Sequence, residues 1–521
     1  MHFSIKKFFP DSPEMWKKFA KITIPVILAT LFISINNFVD NFMVSQISGG
    51  ITAVGMANFW TGIVFSFIIS INTIGSIIFA QYWGKKEFKL AQQVNNIRYI
   101  LSFIVILFFA VLSWAFPESL LRVVQWRRGS SNLDQSIFDQ AKSYLFIISF
   151  SWIMFAYIVT SSGILREIGV MKVSVLFNTL TLVTNIGLNF LLIPLMGVSG
   201  SALATVISRL ITSFLMYLYQ LFYKKEVSLS ILKIFQIERN IWKQFFARFV
   251  GMSLVTIASL IISIRSVLWS QSLPPGSIGI DDGSGFYKFW GIGFLTISGI
   301  ILTIANIFFT TFASIQTSVS IVVGQNLGQN KIELAKKNAA MLKGFLFVVS
   351  VVMSVVAFII VFAITKTDLI TTGIKEQVQK GMSDYFTENN LPVDQAVIDA
   401  QKILAVDFYL NQIFIICIVI ILINPIWVQI NASLTIIKAG GRANFASWWD
   451  FFTGLGQLIW QILIVFVLIP LVSEVHLKLF ISLTVFYLSD ILKWIIFEAI
   501  YLKSNWAINL TLENSALKES I

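Results

Sequence analysis

The chain of 521 residues is 56% hydrophobic and only 12% charged, with 48 Phe and 15 Trp, a surplus of apolar surface that a soluble globule cannot cover. Its net charge of +12 would suit nucleic acid, but the placement of that charge, followed below, reads as membrane topology and leaves no nucleic-acid partner expected. The single cysteine, Cys417, excludes an intramolecular disulfide and reads as a small core residue.

Apolar runs of about 20 residues, enough to cross a hydrocarbon core of about 30 Å, recur along the chain. They fall at about 22–45, 57–80, 99–116, 144–165, 174–196, 199–223, 245–270, 294–323, 344–365, 408–437, 448–472 and 477–502. An all-α membrane protein of twelve helical spans is predicted, because a backbone in lipid must satisfy itself. Lys6–Lys7 is followed by no short apolar stretch with a small-residue cleavage site, so the first run is expected to be retained. With the N-terminus inside, 25 of the 38 Lys and Arg fall on inner segments, 10 on outer ones and three (Arg209, Arg265, Lys493) in or near spans. The positive-inside rule then predicts a multi-pass cell-membrane protein with both termini cytoplasmic. Arg122, Arg127 and Arg128, after the third span, are the exception.

The chain says much the same thing twice. "AQYWGKKEFKLA" (80–91) returns as "GQNLGQNKIELA" (324–335), so that Gln81, Gly84, Leu90 and Ala91 recur as Gln325, Gly328, Leu334 and Ala335. "WKKFAK" (16–21) resembles "WKQFFAR" (242–248), and Ser45–Gln46 matches Ser270–Gln271. "ILREIGVMK" (164–172) resembles "IIKAGGRA" (436–443), and "LLIPL" (191–195) matches "VLIPL" (467–471). All occur in the same order at corresponding spans. The expected organisation is a tail, 1–13; a first lobe of six spans, 14–223; a connection, 224–244; a second lobe, 245–502, with an outer loop at 366–407; and a tail, 503–521. Halves that both begin and end inside are parallel repeats about an axis along the membrane normal, an arrangement that suits a transporter rocking about a central cavity. The glycine connections after spans two and eight lack a GxxxxGK pattern and read as tight helix ends, each followed by an amphipathic helix.

Asp40 stands inside the first apolar run among Phe38, Val39, Phe42, Met43 and Val44. A carboxylate at a helix centre costs about 2.5–3.5 kcal/mol on insertion, so it should face a partner or a wet cavity. Asn36 and Asn37, one turn earlier, lie on its side of the helix. Two readings stand: an idle interfacial acid, or a proton- or cation-binding one. In span five Thr181, Asn185 and Asn189 share one helix face, suited either to helix–helix hydrogen bonding or to a site. Aligning the Ser–Gln pairs sets Arg265 opposite Asp40, as a snorkelling residue or an anionic-ligand contact. Asp490 and Lys493, three apart, are expected to neutralise one another.

"NNFVDNFMVSQISG" after Pro25, "AQYWGKKEFKLA", "LREIGVMKVS" and "TNIGLNFLLIPLMGVSGSALATVIS" together resemble the multidrug and toxic compound extrusion (MATE) transporters. That family belongs to the multidrug/oligosaccharidyl-lipid/polysaccharide flippase superfamily, and the resemblance covers about residues 14–502. It implies two six-helix lobes related by a pseudo-twofold, and antiport of organic, often cationic, compounds against H+ or Na+, with no cofactor. It also implies a coupling role for Asp40 and a first-lobe cation site of Asn185, Asn189 and Thr205 beside it, with Pro25 as a hinge. Where several relatives carry Asp, this chain has Asn189, which leaves Asp40 the only acid in the inferred pocket, able to take a proton or to bind Na+. The second lobe lacks the acids of another branch, with Asp407 only at the mouth of span ten, so the chain looks nearest the DinF-like branch. The partners implied are small organic substrates and the bilayer, with a monomer expected. The alternative is a lipid or lipid-linked oligosaccharide flippase of the same superfamily, which would require Arg209 and Arg265 to point into the central cavity. With His2 and His476 the only histidines and no HExxH, GxSxG or Walker A pattern, an enzyme or an ATP-driven pump is not expected.

Overall fold

The computed structural model describes residues 8–44, 47, 50–127, 135–229, 231–367 and 370–512, and every regular element among them is a helix. The first half holds α1 (Pro13–Val44), α2 (Gly50–Gly84), α3 (Phe88–Ala115), the short α4 (Pro117–Arg127), α5 (Gln135–Glu167), α6 (Met171–Met196) and α7 (Val198–Tyr223). The short α8 (Arg239–Phe246) leads into α9 (Phe249–Ser272), α10 (Phe294–Val319), the single turn α11 (Gln325–Gly328), α12 (Ile332–Thr365) and α13 (Thr372–Glu388). The chain closes with α14 (Gln395–Ala439), α15 (Ala443–Leu463), α16 (Ile469–Leu471) and α17 (Lys478–Lys503). Ten helices among the described residues are long and apolar enough to cross a membrane. The runs expected as spans seven and eight are helical as α9 and α10. Ser45–Gln46, one of the matched pairs, lies outside the described residues, as do Lys6–Lys7 and Arg128.

Within the first half α1 packs on α6, α6 on α7, and α2 on α3 and α5; in the second, α12 packs on α14, α14 on α17 and α9 on α15. The halves meet through α1 against α10 and α2 against α9 and α11. At that junction the sequence repeat becomes a set of twin contacts. Ser76 and Ser320, 244 positions apart, share a hydroxyl hydrogen bond of 2.8 Å. The Gln81 amide donates to the Ala439 carbonyl at 3.1 Å, and the Gln325 amide to the Glu167 carbonyl at 2.8 Å. Gly84 lies against the backbone of Gln325, and Gly328 against that of Gln81, with no room for a Cβ at either. Lys86 and Asn330, the next matched pair, both take positive φ, at 67° and 60°. Gly169 and Gly441 likewise match, at 90° and 98°. A pseudo-twofold axis therefore runs between the ends of α2 and α11.

Two expectations change here. No separate amphipathic helix follows the glycine turns, because α3 contains neither Gly nor Pro and runs unbroken from Phe88 into its span. The stretch expected as a C-terminal tail is partly built into the fold: residues 504–512 tuck beneath the junction. Gln81 Oε1 accepts from the Leu510 N–H at 2.7 Å, the Gln244 amide donates to the Leu510 carbonyl at 3.3 Å, and Trp506 and Leu510 are buried. The loop 366–407 contains α13 and the first turns of α14, whose N-cap Asp394 accepts from the N–H groups of Ala396 and Val397.

Gly84→Val and Gly328→Val each overpack this junction and should cost about 1–3 kcal/mol. Gly62→Ala, whose Cβ would meet open space, should be neutral. Thermal unfolding of the purified protein followed by tryptophan fluorescence separates them, and equal melting of all three would refute the close approach.

Candidate functional site

Asp40 lies near the end of α1, half-buried. Its Oδ1 accepts from the Asn189 amide at 2.5 Å and its Oδ2 from the Asn36 amide, one turn back, at 3.2 Å. The Asn189 amide also donates to Asn185 Oδ1 at 3.1 Å, and the Asn185 amide to Thr205 Oγ1 at 3.2 Å. Thr205 in turn donates to the Ser201 carbonyl at 3.1 Å. One ladder of hydrogen bonds thus joins α1, α6 and α7. Asn185 and Asn189 face it together because they are four apart on α6, and both are fully buried. Two amide oxygens at its head, Asn36 Oδ1 and Asn189 Oδ1, are buried and accept no hydrogen bond among the described residues.

The structure brings together Asp40, Asn36, Asn185, Asn189 and Thr205. Thr181 turns instead to Thr212, at 2.9 Å, one turn from the ladder. Pro25 stands within α1, which continues through it to Val44. The side chain of Asn37 lies outside those described. Sequence reasoning did not place Arg209 or Tyr144 beside Asp40, yet the field of Arg209 reaches Asp40 and that of Asp40 reaches Tyr144. The Arg209 guanidinium lies over the rings of Phe65 and Phe155, 5.4 and 5.1 Å from their centroids, and donates to Ser151 Oγ at 2.9 Å.

Arg265 belongs to a different group in the second lobe. Its guanidinium lies 4.4 Å from the centre of the Phe486 ring, with Nε buried and without an acceptor among the described residues, and it interacts electrostatically with Asp490. Asp490 and Lys493 do not neutralise one another. Asp490 accepts from the Trp427 indole at 2.9 Å and the Gln457 amide at 2.7 Å, while Lys493 pairs with Asp450 at 2.9 Å. Each finds a partner on a neighbouring helix, which spacing along α17 cannot reveal. "VISRLI" (206–211) corresponds to "YLSDIL" (487–492), so the two lobes carry the same pair with its signs exchanged: Asp40 with Arg209, Arg265 with Asp490.

A cavity of about 520 Å³ opens between the lobes, lined from α1, α2, α3, α5, α6, α10 and α14. Neither Arg209 nor Arg265 lines it; Arg209 borders a small pocket of about 50 Å³ with Asn36 and Thr181. Its charged lining is Arg98, Arg166, Glu167 and Lys438. Arg98 is 1% exposed and meets Glu167 through two bonds of 3.1 and 3.2 Å, with Asn72 Oδ1 at 3.0 Å and Asn95 Oδ1 at 3.2 Å completing its fork. These cations entered the sequence reading as topology charges. The signal that marks Arg98 is its place at the edge of a long apolar run.

Two related sets of membrane-crossing helices around a shared cavity define a membrane transporter. The MatE family model matches residues 25–191 and 288–371, and together with the relatives and solved structures that follow it supports a MATE family transporter, a family whose members are transporters and not enzymes. It is 22% identical over 335 residues to the probable multidrug resistance protein YoeA of Bacillus subtilis, covering 63% of this chain and 68% of that one. A mutant of the Vibrio cholerae MATE transporter VcmN shares its fold with a TM-score of 0.70 at 12% identity, over 95% of this chain and 98% of that one. A MATE structure in complex with MaL6 does so with 0.68 at 14% identity, over 96% and 99%.

Asn189→Ala removes the shortest donor to the Asp40 carboxylate and should cost about 1.5–3 kcal/mol, the range for a hydrogen bond to a charged group. Thr181→Ala, outside the ladder, should cost about 0.5–1.5 kcal/mol. Thermal unfolding of both variants at neutral pH checks the order, and the reverse order would detach Asn189 from Asp40.

Proposed function

We propose that this protein is a secondary antiporter that exports amphipathic organic compounds across the cell membrane in exchange for H+ or Na+. Its two lobes alternate access to the central cavity, and each monomer works alone with both termini in the cytoplasm. The reading rests on Asp40, a membrane-embedded acid held at the head of a polar ladder. A proton would convert its carboxylate into a donor able to reach the free amide oxygens of Asn36 or Asn189. Na+ would meet hard oxygens from the same three residues. Asn185 and Thr205 hold Asn189 in place, and Pro25, which removes one backbone hydrogen bond from α1, is its hinge. The name given to YoeA supports drug-like substrates, and the concentration of this chemistry in the first lobe supports a DinF-like assignment.

The driving force is sufficient. One charge crossing 100 mV releases about 2.3 kcal/mol, and one pH unit adds about 1.4 kcal/mol. Together they support a gradient of several hundred-fold for a neutral substrate. Coupling requires only that ion and substrate favour different packings of the first lobe.

A lipid or lipid-linked oligosaccharide flippase is the second reading. The absence of Arg209 and Arg265 from the central cavity speaks against it, whereas the cationic lining by Arg98, Arg166 and Lys438 speaks for it.

Asp40→Asn, which mimics the protonated acid, should abolish gradient-driven dye transport in liposomes while the protein remains folded and inserted. Normal coupled transport by this variant would remove Asp40 from the mechanism. Asn189→Asp should shift the pH or Na+ dependence by placing a second carboxylate beside the first. Cysteines introduced into the 366–407 loop should react with an impermeant reagent on intact cells; reaction only after permeabilisation would reverse the topology.

A further inference from the structure

We infer that the central cavity binds the anionic headgroup of an amphipathic molecule, clamped between Arg166 of one lobe and Lys438 of the other. The inference rests on the transporter reading for the cavity's role, but not on coupling at Asp40.

Arg166 and Lys438 are twins of the repeat: "ILREIG" and "IIKAGG" align so that one falls on the other. They approach the same cavity from opposite lobes, near the ends of α5 and α14. Neither has its charge answered there. Glu167, the carboxylate among the described lining residues, gives both oxygens to Arg98. Asp450, the acid whose field reaches Lys438, is committed to Lys493 at 2.9 Å. Lys438 is 8% exposed, and its ammonium makes no hydrogen bond or ion pair among the described residues. Arg166 has one bond from Nη1 to Ser174 Oγ, at 3.3 Å, and a buried Nε without an acceptor. With three cations and one carboxylate, the lining carries two positive charges in excess. Desolvated charges of one sign are costly, and a ligand anion that accepts from both recovers that cost.

The rest of the wall suits an apolar body: Ile33, Ile69, Phe155, Ile158, Phe312 and Leu434. The clamp is also tied to the lobe junction. Gln81 holds the carbonyl of Ala439, next to Lys438, and Gln325 holds that of Glu167, next to Arg166. Parting the lobes breaks both bonds and changes the spacing of the two cations. An anion bridging them therefore favours the closed junction, and its differential affinity for the two arrangements biases the equilibrium between them.

The test uses the full-length protein in phosphatidylcholine nanodiscs, titrated with dansylaminoundecanoic acid and with its primary amide, which share one body and differ in charge. The acid should bind about tenfold tighter, equivalent to about 1.4 kcal/mol. Lys438→Met and Arg166→Gln should each reduce that ratio to about threefold, and together abolish it, with amide affinity unchanged. Lys438→Arg should preserve it. Equal affinity of the two probes for the native protein, or a preference that survives both substitutions, overturns the inference. If the double variant does not purify as a monodisperse protein, the contrast between Lys438→Met and Lys438→Arg decides alone. Displacement of the bound acid by short-chain phosphatidylglycerol but not dodecyl phosphate supports a lipid headgroup; the reverse supports a free amphiphile. Displacement by neither overturns the inference. No ion gradient enters this assay, so a protein that discriminates the probes but fails to couple transport overturns the antiport reading alone.

Discussion

The backbone contact of Gly84 with Gln325, and of Gly328 with Gln81, is the constraint on which the remaining architecture depends. Only residues without a side chain let the two helix ends approach so closely, and that approach brings each glutamine within reach of a carbonyl in the opposite lobe. A buried amide left unpaired costs roughly 1–3 kcal/mol, so fully buried Gln81 holds its carbonyl firmly, and half-buried Gln325 makes the matching bond at 2.8 Å. The carbonyls chosen, of Glu167 and Ala439, belong to the last turns of α5 and α14. Fixing those turns beneath the junction sets the floor of the central cavity and the side chains that face it. The C-terminal strap reinforces the same point, since the Leu510 N–H donates to the side-chain oxygen of Gln81 while the amide nitrogen holds Ala439.

Charge inside the bundle is handled pairwise. A lone carboxylate or guanidinium at mid-membrane is costly, and an opposite charge in the same lobe offsets part of that cost. Asp40 lies in the field of Arg209 on α7, and Arg265 in that of Asp490 on α17, each acting at a distance and bonded to other partners. The exchange of sign between lobes explains how α9 can carry an arginine where α1 carries an acid while each lobe stays balanced. Balance does not make the lobes equivalent. Each acid accepts one bond on each oxygen, Asp490 from Trp427 and Gln457 and Asp40 from Asn36 and Asn189, but Asp40 also sits beside two buried amide oxygens that accept none among the described residues.

Much of this was legible in the sequence because its causes are local or periodic. Hydropathy gave the helical runs, and the twelve-residue repeat contained the very glutamines and glycines that meet at the junction. Asn185 and Asn189 could be set on one face because four residues make a turn. What escaped depends on partners far along the chain. Lys493 could not be assigned to Asp450, nor Asp490 to Trp427, from spacing on a single helix. The strap bonds Leu510 to a residue 429 positions earlier. The largest loss came from counting charge by segment: a positive-inside tally cannot separate a solvated lysine from Lys343, 1% exposed against Glu498 and Ser433, or from Lys438 facing a cavity.

Asp40 and the cationic cavity are neighbours without being one site. The small pocket beside Asn36 and the central cavity share a wall made of Ile33 on α1, Phe155 and Ile158 on α5, and Asn178 on α6. Phe155 also carries the Arg209 guanidinium on its ring face. A rearrangement of the Asp40 ladder that shifted α1 would carry Ile33 with it and reshape both spaces together. Close packing makes such a wall respond by switching between arrangements more readily than by gradual deformation. Mutual exclusion between ion and substrate then needs no shared atom: one helix that cannot satisfy both spaces at once is sufficient.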